Sequence, residues 1–264
     1  MNVITGMHRS GTSFLANLVH EAGADFGPRE KLLEADSFNA GGYFENTDVM
    51  VLNDRIVLGD FLYSEEARLM PLDQKGKLIL RARMAVLKAR YLLLNDNTSI
   101  ERRARKKSAE MQALDALRAD IWVKDPRFSL TLQEWMSNTT IEKVLYIYRH
   151  PAEVAHSLKE REHLPLWLGL RTWEYHVRVF LSMYPAQKTV FLDYNQFRNA
   201  DTAETEVARC FEAVSTSDNL ESVLSKFHSV YRPELVHQKT FSLSGAMYEK
   251  CMELYKTLQD LHDQ

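Results

Sequence analysis

Cysteine is nearly absent: the 264 residues hold only Cys210 and Cys251. Two thiols are too few for a disulfide-stapled secreted scaffold or a thiolate zinc site. Long apolar runs are missing too, and without a stretch of ~18 such residues no membrane span is expected. Charge of one sign is lacking, since 33 Lys plus Arg stand against 36 Asp plus Glu, for a net −3. A chain wrapped on nucleic acid would carry a clear basic excess, so that role is disfavoured. The start, Met1-Asn2-Val3-Ile4-Thr5-Gly6, lacks the basic region and apolar length of a signal peptide, so the expected compartment is the cytoplasm. The histidines include no H-E-x-x-H or comparable spacing, so no metal site is expected. No G-x-S-x-G elbow marks a serine hydrolase. Glycine (10) and proline (7) are scarce, so their positions are informative.

What is present is 45% hydrophobic and 26% charged, the profile of an ordinary globular protein long enough for one large α/β domain. Residues 2–5 are expected to form a buried strand broken at Gly6. A helical stripe runs from Gly11 through Phe14, Leu15, Leu18 and Val19 to Gly23. Loop chemistry fills 24–44, with Gly27-Pro28 and Asn39-Ala40-Gly41-Gly42. Helical periodicity resumes near Asn46 and again over 75–94 and 99–118. Further strands are expected at Ile121-Trp122-Val123, Lys143 to Tyr148 and Val190-Phe191-Leu192. Pro151 suits the first position of a helix, and long helices are expected over 166–184 and 243–262. Strands alternating with helices imply an α/β fold, a central parallel sheet flanked by helices on both faces. No linker or repeat divides the chain. The expectation is a single domain over 1–264, with a helical insertion over about 75–118 as the candidate lid over a bound substrate.

The strongest local signal is Gly6-Met7-His8-Arg9-Ser10-Gly11-Thr12-Ser13, a G-x-x-x-x-G-T-S loop between strand and helix. Glycines let several N–H groups converge, and the helix dipole adds positive potential, which makes an anion site. Thr12 stands where a nucleotide-triphosphate loop carries Lys, so the usual clamp on a γ-phosphate and its magnesium is missing. The cation lies inside the loop instead, as Arg9. A second anion site is expected at Arg149, at the carboxyl end of a strand, with Ser157 eight residues on. The competing expectation for Arg149 is an ion pair with Glu153.

These residues resemble the sulfotransferases that use 3′-phosphoadenosine 5′-phosphosulfate (PAPS). Arg9-Ser10-Gly11-Thr12-Ser13 is similar to their 5′-phosphosulfate loop, and Arg149 with Ser157 matches the spacing of their 3′-phosphate site. Gly-Tyr-Phe-Glu-Asn at 42–46, Trp-Val-Lys-Asp-Pro-Arg at 122–127 and Tyr-Arg-His-Pro at 148–151 resemble bacterial members. The likeness spans 1–160 and continues more weakly through Leu166-Trp167 and Asp193-Tyr194 to about Gln238. It departs from many eukaryotic soluble members in having Arg rather than Lys at position 9. The Gly-rich adenine and phosphate segment of soluble animal members is absent, with Arg232 as a partial substitute.

The resemblance implies a sulfotransferase with PAPS as donor, 3′,5′-ADP (PAP) as product and no metal. Arg9, Ser10, Gly11, Thr12 and Ser13 would hold the 5′-phosphosulfate, and Arg149 with Ser157 the 3′-phosphate. Glu45 is the candidate base, against a helix-capping role; His8 is its rival, with a pKa suited to proton transfer. Lys124 is a candidate for stabilising charge on the transferring group, against an ion pair with Asp125 or another carboxylate. Arg127 is expected to be structural, Tyr194 to contact adenine or phosphate, and Trp167 and Trp173 to pack in the core. The run Glu101 to Lys107 is expected to be a solvated face rather than an attractor for an anionic acceptor. The acceptor class is open among carbohydrates, lipid-linked sugars, peptides and small metabolites. The alternatives are a kinase or nucleotide hydrolase using Mg-ATP, and a nucleotide-binding module without catalysis.

Overall fold

Side chains alternating along four short strands divide the interior into two apolar layers. The computed structural model describes residues 1–33, 42–59, 74–76, 79, 82, 86, 96–114, 120–214, 220–230 and 243–264. In it β1 (Asn2–Thr5), β2 (Trp122–Lys124), β3 (Lys143–Tyr148) and β4 (Thr189–Asp193) form a parallel sheet in the order β2-β1-β3-β4. Ile4 lies opposite Lys124 on one side and Leu145 on the other, and Tyr148 lies opposite Asp193. Val3, Val123, Val144, Tyr146 and Phe191 enter one layer; Ile4, Trp122, Leu145, Ile147 and Leu192 enter the other. Burial on both faces explains why β3 reads as an almost unbroken apolar run.

The described helices are α1 (Thr12–Glu21), α2 (Thr47–Leu58), α3 (Asn97–Arg105), α4 (Ser108–Leu114) and α5 (Phe128–Met136). They continue as α6 (Pro151–Glu162), α7 (Leu166–Leu181), α8 (Ala203–Val214), α9 (Leu220–Val230) and α10 (Ala246–His262). Leu15, Leu18 and Val19 of α1 pack with Val207 of α8 and Phe227 of α9 on one face. Val154, Ala155 and Leu158 of α6 lie on the other, with Trp173 and Phe180 of α7 and Leu258 of α10. The helices that follow β1 and β3 therefore leave the sheet in opposite directions. The crevice between these adjacent strands is the topological switch point, where open parallel sheets bind ligands.

Two glycines set distances around it. A Cβ on Gly6 would stand 2.1 Å from the carbonyl oxygen of Ile147, so only glycine allows the loop after β1 to run this close to β3. Gly169 lets α7 approach α6, where an added Cβ would lie 2.9 Å from the Cα of Ala155.

The strand expectations agree with the structure to within a residue at each end. The helical stretch 99–118 is interrupted: α3 ends at Arg105 and α4 starts at Ser108. Most of 75–94, together with Gly41 and Arg232, lies outside the described residues. The expectation for Trp167 is corrected. Trp173 is fully buried, but Trp167 is 58% exposed, because residues six apart on a helix point about 120° away from each other. No helix among the described residues is long and apolar enough to cross a membrane.

Candidate functional site

The loop after β1 reaches α1 through Arg9 and Gly11, both with left-handed backbone, at φ 73° and 98°. Gly11 holds the N-cap position of α1, and no side chain caps the helix there. The first N–H groups of a helix have no partner within it, so they face the crevice side of the loop ready for an acceptor. Ser10 is fully buried, and its Oγ finds no hydrogen-bond partner among the described residues. A buried hydroxyl left unpaired is costly, and an anion held by the loop would satisfy it. Gly11 is also pressed on Tyr194, whose Cδ2 would be 2.3 Å from an added Cβ. Thr12 is buried and Ser13 half-buried at the start of α1.

Arg9 and Arg149 meet. The Nε of Arg9 donates to the Oγ of Ser157 at 2.9 Å, and Arg149 donates to the backbone oxygen of Arg9 at 3.4 Å. Two turns of α6 thus return Ser157 to the level of the loop. Burial lowers the pKa of Arg9 from its usual value, and the Arg161 and Arg149 guanidinium groups push it the same way. Such crowding of like charge is what a bound anion relieves. The Arg149 guanidinium lies 4.8 Å from the centre of the Tyr194 ring and pairs with Glu153 at 2.5 Å. The Arg149 backbone is held as well, because Trp173 Nε1 donates to its carbonyl at 3.2 Å.

A second group of charges closes the β2 side. Lys124 is almost fully buried and pairs with Glu45 at 2.6 Å, while also donating to Ser13 Oγ at 3.1 Å. Arg127 is buried among three carboxylates: Asp54 at 2.5 Å, Asp125 at 3.0 Å and Glu45 at 3.5 Å. Asn53 anchors this group, donating to Asp125 and accepting from Thr131 and Trp135. Burial alone would raise the Glu45 pKa, but Lys124 and Arg127 outweigh it and hold the carboxyl below its usual range. Burial pushes Asp125 up against the pull of Arg127, and Glu45 adds to the rise.

Glu45 does not cap α2. Asn46 does, its side chain accepting from the N–H groups of Asp48 and Val49. Tyr43 accepts a hydrogen bond from Arg161 of α6 at 3.3 Å, so residues 43–46 bridge from the crevice to the start of α2. Lys124 does pair with a carboxylate, but with Glu45 rather than Asp125. His8 sits half-buried in the loop, 6.2 Å from the ring of His176. Its pKa is held well below the usual histidine value, by burial first and then by Arg127, His176, Lys124 and Arg9. His176, fully enclosed and in contact with Ser129 at 2.6 Å, is pushed down to about 3.

The structure therefore gathers Arg9, Ser157 and Arg149 into one contact chain, and Ser13, Lys124, Glu45 and Arg127 into another. Sequence reasoning passed over Asn53, His176 and Arg198, whose roles depend on packing between distant segments. Arg198 alone left a trace in the sequence, since it follows β4 at the ligand edge of the sheet. In the Glu101–Lys107 run Arg103 departs from a purely solvated face, donating to the carbonyls of Ile56 at 2.5 Å and Val57 at 2.6 Å at the end of α2.

This geometry belongs to a parallel α/β protein with Arg9 and Arg149 meeting at its switch point. Among solved structures the chain is similar to the sulfotransferase domain from the Synechococcus PCC 7002 olefin synthase. The likeness covers 98% of this chain and 94% of that one, at 15% identity and a TM-score of 0.51. It is similar also to the sulfotransferase domain from the curacin biosynthetic pathway, over 98% and 97% of the two chains, at 13% identity and a TM-score of 0.51. The chain shares the fold of these sulfotransferase domains. No family model matches it, and no curated protein does.

Proposed function

We propose that the protein is a PAPS-dependent sulfotransferase acting on a hydroxyl or amine acceptor. The observation that carries this is the Ser157–Arg9–Arg149 contact chain, with Arg9 touching both of the others. It joins a glycine loop with an unsatisfied buried hydroxyl to a strand-end arginine across one crevice. One ligand with two separated anionic groups fits both ends. The shared fold supports the same reading.

In this reading the loop amides from Gly11 to Ser13, with Ser10 Oγ and Arg9, bind the 5′-phosphosulfate, and Arg149 and Ser157 bind the 3′-phosphate. The Ser10 amide is already used, donating to the Met7 carbonyl at 3.1 Å. The bound donor supplies a sulfuryl group with the 5′-phosphate as leaving group, in line with the acceptor. Fixed donors already aimed at the leaving phosphate stabilise its growing charge without reorganising. Lys124 reaches both Ser13 and Glu45, which sets an ammonium between the loop and the candidate base. Glu45 receives the acceptor proton as the new bond forms. Its depressed pKa keeps it ionised through the neutral range, so it is always available as an acceptor but is a weak base. Arg127 holds the second oxygen of Glu45 and orients it.

Thermal denaturation with 3′,5′-ADP, and separately with Mg-ATP, tests the donor. Stabilisation by 3′,5′-ADP is expected. Stabilisation by Mg-ATP alone would replace this function with phosphoryl transfer or nucleotide hydrolysis.

A further inference from the structure

Beyond Arg149, one more guanidinium borders the crevice. Arg198 lies in the turn after β4, with its side chain only 6% exposed. It pairs with Glu153 Oε2 at 2.8 Å, the same oxygen that accepts from Arg149 at 2.5 Å. Both guanidinium groups lie against the Tyr194 ring, at 4.8 Å for Arg149 and 5.7 Å for Arg198. Arg198 Nε is buried and has no acceptor among the described residues. Burying a charged donor without a partner costs more than a surface position would, so its retention points to an absent acceptor.

The charges agree. Arg9, Arg149 and Arg198 set three cations against the one anion Glu153, which leaves two positive charges. Arg161 and Glu162, also close to Arg9, cancel. A phosphate monoester is close to a dianion at neutral pH and offers three oxygens, whereas Glu153 offers two oxygens and a single charge. Glu153 also lies in the first turn of α6, where the helix dipole favours an anion of either kind.

We propose that Arg198 is a second guanidinium for the donor's 3′-phosphate, and that Glu153 is a resident carboxylate which this phosphate displaces from the two arginines. The inference rests on the PAPS reading and adds a discriminating element to it. The Arg149–Arg198 pair, bridged by Glu153, would separate a 3′-phosphorylated nucleotide from one with a bare 3′-hydroxyl. A hydroxyl cannot compete with a carboxylate for two guanidinium groups, whereas a phosphate can.

Calorimetric titration with 3′,5′-ADP and with 5′-AMP tests it. Wild type is expected to bind 3′,5′-ADP more tightly. Arg198→Gln is expected to weaken 3′,5′-ADP about 10–100-fold, the loss typical of a charged hydrogen bond, and to leave 5′-AMP within about twofold. Equal loss of both ligands would mean a structural role, and loss of neither would mean no role; either overturns the assignment. Glu153→Gln keeps the shape but removes the competing charge, so it is expected to tighten 3′,5′-ADP severalfold without moving 5′-AMP. Unchanged or weaker binding there would overturn the displacement. Failure of the wild-type protein to distinguish the two nucleotides would instead remove the donor reading itself, and this inference with it.

Discussion

The proposed function gives Arg149 and Glu45 opposite duties at the crevice, and single substitutions separate them. Arg149→Ala removes the guanidinium at the end of β3. The expected result is a loss of at least about tenfold in affinity for 3′,5′-ADP by titration; unchanged affinity would refute its 3′-phosphate role. Glu45→Gln keeps a hydrogen-bonding side chain beside Lys124 but takes away the proton acceptor. Donor binding is expected to persist while turnover falls about 100-fold or more. Near-normal turnover would move the base to another group, with His8 the first to examine, since it is kept neutral by burial and neighbouring cations.

In the 42–46 segment a helix cap stands next to the proposed base. Asn46 closes the first turn of α2, and Glu45 precedes it with its carboxylate held between Lys124 and Arg127. Asn46→Ala is expected to cost about 1 kcal/mol in denaturant unfolding. It should also lower turnover more than donor affinity, because the cap lies behind Glu45 and not behind the loop. Equal effects on both would show that the segment supports the whole crevice rather than its base. The strands were readable in sequence because each is short, apolar and closed by a polar or breaking residue. The loop was readable because Gly6 and Gly11 bracket it with the right spacing. The break between α3 and α4 was not, since Lys106-Lys107 carries no breaker and the periodicity runs through it. Nor was the environment of Arg127, which is set by Asp54 on a helix more than seventy residues earlier. Charge partners brought together by packing leave no local pattern.

Across the whole molecule, buried histidines make stability depend on pH. His176 has a folded pKa of about 3 against 6.5 when free. The unfolded chain therefore takes up a proton as pH falls through 6.5, and the folded chain does not. The stability contributed by the neutral imidazole is present above pH 6.5 and is lost progressively below it. Between pH 7 and pH 5 this amounts to about 2 kcal/mol. The stability gap between wild type and His176→Asn, measured by urea unfolding, is expected to narrow by that amount over the same interval. A gap independent of pH would contradict it. His262 works in the other direction: hydrogen bonding to Glu206 raises its pKa, so its contribution is full below pH 6.5 and fades as pH rises. The two opposing trends define a range of acidity in which α7 and the C-terminal helix are both well held.

Lys124 has a consequence of a different kind. Among the described lysines it is the buried one, sealed between Glu45 and Ser13. Acylating reagents need an accessible amine, and burial denies them one at this position. In a brief labelling experiment read by peptide mass spectrometry, surface lysines should react while Lys124 stays unmodified. Glu45→Ala should make it reactive. The chain thus contains its own chemical reporter, and the intactness of the crevice can be followed without knowing which acceptor the protein serves.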